Sequence, residues 1–147
     1  MRRFPAGVAV VTVDAGGEGL GLTVGTLVSL SLEPPLVGIS VSRTAALHEL
    51  LRESGAFAVS LLAAGQEAVA QHFARGVPPI AHWHGIETFV GEHGARLIDG
   101  ALGWLECAIW TEWPAGDHTF FAGEVLSCEL GDAKPPLLYL DRRYRPL

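Results

Sequence analysis

Apolar positions along the 147-residue chain change period several times, and each change marks an element. Gly7–Val13 (GVAVVTV) is a β-branched run that predicts a strand, and Ala15–Gly19 (AGGEG) predicts a turn. Leu22–Leu32 reads as a second strand region with small residues in its middle, broken by Glu33, Pro34 and Pro35. Leu36–Val41 is close to continuously apolar, which predicts a strand buried on both faces. Over Ser42–Ser54 the spacing turns helical, with Ala46, Leu47, Leu50 and Leu51 on one stripe and Gly55 as the stop. Ala56–Leu62 is a strand. Gly65–Gly76 is a short helix with Ala68, Val69 and Phe73 on one side. Val77–Gly100 has no clear period and is rich in glycine, histidine and proline. Ala101–Trp113 and Asp117–Leu130 form a long hairpin around Pro114–Gly116. Pro135–Leu140 is the last strand, followed by a basic tail, Asp141–Leu147.

These elements predict one mainly β domain over residues 1–147, an antiparallel barrel with two short helices. Hydrophobic residues make up 49% and charged residues 18%, which is apolar for a small monomer and predicts burial against a second copy. A net charge of −6 argues against a broad nucleic-acid face, although a local positive site for a small anion remains compatible with it. Arg142, Arg143 and Arg145 crowd the C-terminus. No window reaches the roughly 20 apolar residues that span a bilayer. The N-terminal apolar run is short, valine-rich and followed by Gly16-Gly17, so it reads as a strand and not a secretory signal. Cys107 and Cys128 lie in apolar strand-like segments and are expected to be reduced core residues of a cytoplasmic protein.

Candidate chemistry sits at four places. Ser42, Arg43 and Thr44 follow a buried strand and open a helix. Ser42 or Thr44 would cap that helix, and its first turn, with Arg43, would suit a phosphate; an ordinary cap beside a solvated arginine is the plainer alternative. Thr23, Thr26, Ser29 and Ser31 place hydroxyls in an otherwise apolar strand, and Gly25 lets a flat ring approach the backbone. His82 and His84 alternate as strand neighbours on one face would, but no third ligand lies nearby in sequence, so no metal is expected. His93 reads as a loop residue, and His48 and His72 as packing or surface residues of helices. His118 stands at the mouth of the long hairpin between Asp117 and Thr119. Adjacent strand residues face opposite sides, so Asp117 is expected to organise the turn while His118 points to one face and hydrogen-bonds a bound amide or ring.

Six stretches, in this order and spacing, resemble the flavin reductase-like domain family: RRFPAGVAVVTV, LTVGTLVSLSLEPPLVGISV, LRESGAFAVSLLAAGQEAVAQHFAR, LIDGALGWLECAIW, GDHTFFAGEV and PLLYLDRRYRPL. The resemblance covers nearly the whole chain and begins at the first strand, so an N-terminal segment is expected to be absent. It implies a Greek-key split β-barrel that binds FMN (FAD as an alternative), uses NADH or NADPH, and works as a homodimer. It also implies that reduced flavin is supplied to a monooxygenase partner. By resemblance, Thr23, Val24, Gly25, Thr26 and Ser29 line the isoalloxazine edge. Ser42, Arg43 and Thr44 fall where the flavin phosphate is held. Phe73 and Arg75 sit near the cofactor, His118 beside nicotinamide and flavin as the catalytic candidate, and Tyr144 near the same pocket. The family's usual phosphate-segment hydroxyls align with Ala45 and Leu47, so that contact is altered here or has moved to Ser42 and Thr44. Two further readings stay open: a tightly bound FMN acting on a small substrate, and a non-catalytic flavin or haem binder.

Overall fold

The computed structural model describes residues 2–76 and 78–147. Its strands are β1 (Ala6–Gly7), β2 (Ala9–Ala15), β3 (Glu18–Val24), β4 (Val28–Leu32), β5 (Pro35–Ser42), β6 (Ala56–Leu61), β7 (Thr88–Val90), β8 (Arg96–Ile98), β9 (Gly103–Ala115), β10 (His118–Leu130), β11 (Leu137–Leu140) and β12 (Arg143–Pro146). Helix α1 spans Ala46–Ser54 and α2 spans Glu67–Ala74.

Seven strands make one antiparallel sheet in the order β3-β2-β6-β9-β10-β5-β4. Its two edges, β3 and β4, are consecutive in the chain and joined only by Gly25–Leu27. A chain of that length reaches at most about 14 Å, so the sheet has to curl until its edges meet at this end. Among the described residues β3 and β4 are not paired, which leaves the barrel split along that seam. The mainly β, antiparallel class with two short helices is therefore as the sequence implied.

Alternation along β5 and β10 decides what faces inward. Ile39, Val41, Thr119 and Phe121 are buried, while Ser40, Ser42, His118 and Phe120 lie on the other face, half-buried. Ile39, Val41 and Phe121 join Val11, Val13, Val59, Leu47 and Leu51 in the main core. A second core, under α2, gathers Val8, Val10, Leu62, Phe73, Ile98 and Leu137.

The helices differ in detail from their predicted forms. The first starts at Ala46, not Ser42, with Ala45 as its N-cap and no side-chain capping bond; neither Ser42 nor Thr44 caps it. It ends as expected at Gly55, whose φ of 67° lets its N–H donate to the Leu51 carbonyl. In α2 the buried residues are Ala70 and Phe73, and Ala68 is exposed, because the helix turns its Thr23-facing side to β3. The predicted second strand is two strands, β3 and β4, separated at Gly25–Leu27. The basic tail is not free: β12 pairs with β11, and Tyr139 lies opposite Tyr144.

His82 and His84 are not strand neighbours. They lie in a turn after a single 3₁₀ turn (Pro79–Ala81), His82 buried and His84 exposed. His82 Nε2 accepts from the Gly21 N–H at 2.7 Å, and Trp83 Nε1 donates to the Gly19 carbonyl at 2.8 Å. These two bonds clasp the aperiodic segment onto β3, which is why its periodicity carried no signal. His93 lies exposed in the β7–β8 turn. That turn is pinned by the buried Glu106 carboxylate, which accepts from the His93 and Ala95 N–H groups at 3.0 and 3.2 Å and from the Ser127 hydroxyl at 3.0 Å. Cys107 is buried, and burial pushes its thiol up to about 12. Cys128, expected in the core, is exposed, since the outer half of β10 runs past the core; neither cysteine is bonded to another.

Candidate functional site

The Gly25–Leu27 link also organises the surface. Thr26 Oγ1 accepts from the Ser40 N–H at 3.1 Å and approaches the Ser40 carbonyl at 3.3 Å, so the link runs along the exposed edge of β5. Two residues further along β5 is Ser42, whose direct cross-strand partner on β10 is His118. Thr26, Ser40, Ser42 and His118 thus follow one another along a single face.

Beyond Ser42 the chain turns sharply into α1. The Arg43 N–H donates to the Asp117 carbonyl at 3.0 Å, which ties this turn to the tip of the β9–β10 hairpin. The Ser42 and Thr44 hydroxyls are 3.0 Å apart, and the Ala45 N–H donates to the Ser42 carbonyl at 3.0 Å. Ala45 and Leu47 pack into the core and carry no hydroxyl, so any hydroxyl contact from this turn comes from Ser42 and Thr44. The N-terminus of α1 has no side-chain cap, and its first-turn N–H groups, the two hydroxyls and the exposed Arg43 form a set of donors suited to an anion.

His118 is half-exposed, and its Nδ1 lies 2.7 Å from Asp117 Oδ1. Asp117 therefore pairs with the imidazole, contrary to the expectation that it serves the turn alone. Local bending at the tip, with Gly116 at φ 68°, lets sequence neighbours meet here. The hydrogen bond from His118, then its charge, and a smaller pull from Arg43, hold the Asp117 carboxyl below the usual range. With Nδ1 directed to Asp117, Nε2 is left for a ligand. Beneath this face, His48 of α1 is buried; its Nε2 is 2.8 Å from the Thr119 hydroxyl and its Nδ1 2.9 Å from Glu49. The Nε2–Thr119 bond holds α1 against the strand that carries His118, the packing alternative of the two read for His48.

At the other end of the Gly25–Leu27 link a groove of about 230 Å³ is lined by Ala6, Val8, Thr23, Val24, Gly25, Ala74, Tyr139 and Tyr144. The Thr23 hydroxyl donates to the Ala70 carbonyl at 2.7 Å, so it braces α2 and offers only its remaining lone pair. Gly25 is exposed, and a Cβ there would meet Ala6 Cβ at 3.3 Å. The Tyr139 and Tyr144 rings are 5.1 Å apart and wall one side; burial, then Tyr139, pushes the Tyr144 phenol up. Tyr139 was not singled out in the sequence, although its place opposite Tyr144 follows once the tail is known to be a strand.

The remaining expected residues separate. Ser29 lies exposed on the edge strand β4 and lines neither this groove nor the anion-suited turn. Arg75 is exposed at the C-cap of α2, next to the groove residue Ala74. Phe73 is only 1% exposed, with its ring 5.2 Å from His82 and 5.1 Å from Trp83. It is core beneath β3, packed between that strand and the His82–Trp83 turn.

A flat, largely apolar ring with polar edges and an anionic tail suits these elements: a groove with apolar and aromatic walls at one end of the link, and a donor-rich turn at the other. No long apolar helix able to cross a membrane occurs among the described residues.

Comparison with known proteins places the chain in a family. The chain is 45% identical over 147 residues to the reductase component of 4-hydroxyphenylacetate 3-monooxygenase from Thermus thermophilus, covering 100% of this chain and 92% of that one. It is 34% identical over 152 residues to an NADH:FMN oxidoreductase of Rhodococcus erythropolis, covering 98% and 77%. The solved NADH:FAD oxidoreductase of Streptomyces globisporus superposes with a TM-score of 0.94 at 42% identity, covering 99% of this chain and 87% of that one. The same oxidoreductase solved with NAD and FAD fragments gives 0.93. The pattern of the flavin reductase like domain matches residues 1–147, and the chain belongs to that family.

Proposed function

We propose that this protein is an NAD(P)H:flavin oxidoreductase that binds FMN or FAD and releases it reduced to a monooxygenase. The observation that carries the reading is that Thr26, next to the groove residue Gly25, bonds the backbone of Ser40, two residues before Ser42, whose cross-strand partner is His118. The similar Thermus, Rhodococcus and Streptomyces reductases support the same reading.

The bound flavin supplies the hydride-accepting chemistry. The chain's own work is positional. Gly25 makes room for Ala6 at the groove wall, and Thr26 stiffens the link against β5. Ser42 and Thr44 donate to the phosphate, with Arg43 adding charge and the α1 N-terminus its dipole. His118, oriented by Asp117, holds the nicotinamide amide or the flavin edge through Nε2. The exposed apolar residues of β4 (Val28, Leu30, Leu32) and β9 (Trp110, Trp113) support a homodimer. The unpaired cysteines support a cytoplasmic setting, and the whole chain works as one flavin reductase-like domain.

NADH and NADPH oxidation by the purified protein, with and without added FMN or FAD, tests this. Strong stimulation by free flavin is the expected result. Turnover that ignores free flavin and needs another acceptor would indicate a prosthetic flavin, and no turnover in any combination would overturn the proposal.

A further inference from the structure

His48 and Thr119 are polar side chains enclosed beside the main core, 3% and 2% exposed. The His48 ring stands edge-on to the core residue Phe121, with ring centroids 5.6 Å apart. Its Nδ1 faces the Glu49 carboxylate, which only accepts, so in the neutral ring the hydrogen sits on Nδ1 and Nε2 accepts from the Thr119 hydroxyl. A leucine facing a valine would fill similar space. Replacing both partners of a buried hydrogen bond by apolar groups of the same shape is close to neutral for stability. The pair therefore needs a reason other than stability. A satisfied buried hydrogen bond fixes one arrangement of two elements, which apolar contacts alone do not.

The two elements are the ones that carry the site. Thr119 follows His118 directly, so the bond meets β10 about 3.4 Å along the strand from His118. His48 stands in the first turn of α1, where its own N–H donates to the Ala45 carbonyl at 2.9 Å. The β5–β10 ladder fixes Ser42 opposite His118 and ends there, so it does not hold α1. The helix has no side-chain cap to set its N-terminus either. Three polar ties join α1 and its leading turn to the β9–β10 hairpin. The Arg43 N–H donates to the Asp117 carbonyl in the exposed turn. Arg52 reaches Glu112 at 2.6 Å, near the far end of the helix, as an exposed pair that solvent screens. Of the three, the His48–Thr119 bond is the buried one.

We propose that His48 is a positioning residue for the transfer between the reacting rings. Through Thr119 it fixes the first turn of α1, with its phosphate-facing N–H groups, relative to His118; being buried, it touches neither ring. This rests on the reading of the protein as a flavin reductase in which His118 holds a reacting ring.

The test is a double-mutant cycle on steady-state turnover, with FMN binding measured in parallel. His48→Leu is expected to lower kcat/KM for NADH about fivefold, less than His118→Ala, with the Kd for FMN changed less than about twofold. His48→Gln, whose amide oxygen can accept from Thr119, is expected to restore most of the loss. In the H118A background H48L is expected to change kcat/KM less than about twofold, because no imidazole remains to be misplaced. Thr119→Val is expected to repeat the H48L loss, and it decides the matter should H48L fail to fold. Glu112→Gln, which breaks the exposed tie, is expected to stay within about twofold of wild type. Full multiplication of the H48L and H118A losses overturns the inference, as does a glutamine variant no better than leucine. An E112Q loss as large as that of H48L overturns it too, since attachment of the helix as a whole would then be the cause. Unaltered kcat/KM in both H48L and T119V overturns it outright. Absence of turnover in wild type removes the flavin reductase reading and this inference together, whereas an active wild type with independent losses removes this inference alone.

Discussion

His118 and Ser42 are direct cross-strand partners, so imidazole and hydroxyl share one face of the β5–β10 ladder. The group expected to hold the reacting rings and a group expected to hold the phosphate are thus fixed relative to each other by backbone hydrogen bonds. Replacing His118 with alanine removes one ligand hydrogen bond from a half-exposed position, leaving the core untouched. We expect kcat/KM for NADH to fall about tenfold, with a melting temperature lowered no more than by Asp117→Asn. Steady-state kinetics beside a thermal melt checks this; unaltered kcat and KM contradict the positioning role.

Asp117 gives a pH signature. Its folded value is depressed, chiefly by His118, so its contribution to stability is present above the unfolded aspartate value of about 3.9 and is lost as pH falls through the lower folded one. The carboxylate is exposed, so solvent screens the effect. The melting-temperature difference between wild type and Asp117→Asn is therefore expected to be small, constant above about pH 5, and to vanish in stronger acid. A difference that grows on acidification contradicts the pairing.

Ser42 and Thr44 are expected to recognise the phosphate and not the ring. The Ser42→Ala, Thr44→Ala double variant should raise the Kd for FMN about tenfold, with riboflavin binding unchanged. Fluorescence titration with both flavins reads this directly. Equal losses for FMN and riboflavin would mean that the turn shapes the ring site instead.

Gly21 tests the clasp under the groove. A Cβ there would lie 2.7 Å from the buried Phe73 ring, and the Gly21 N–H also holds His82. Gly21→Ala is expected to destabilise the fold by about 1–3 kcal/mol, since the ring has no room to move. Urea denaturation should show a lower midpoint with an unchanged slope. A midpoint equal to wild type contradicts the packing described for the second core.

Periodicity made the main sheet legible: the β9–β10 hairpin, the apolar β5 and the stripe of α1 each follow from local pattern. Three features were not local. The Arg143–Pro146 strand follows a turn that uses Asp141 and Arg142 where glycine usually marks it. The burial of His82 depends on a backbone partner 61 residues away. Phe73 falls on the apolar side of its helix, but its enclosure by β3, His82 and Trp83 depends on residues distant in the chain. Of the expected site, Thr23, Val24, Gly25 and Tyr144 meet in one groove, and Ser42, Arg43, Thr44 and His118 meet at one turn. What joins them, the Thr26–Ser40 bonds, is visible only when the sheet is curled.

The central claim is that flavin leaves reduced after each turnover. Anaerobic mixing of a trace of the protein with excess NADH and excess free FMN or FAD tests it most directly. The account predicts that reduced flavin accumulates far beyond the amount of protein. Reduction that stops at one flavin per chain, or never starts, contradicts it.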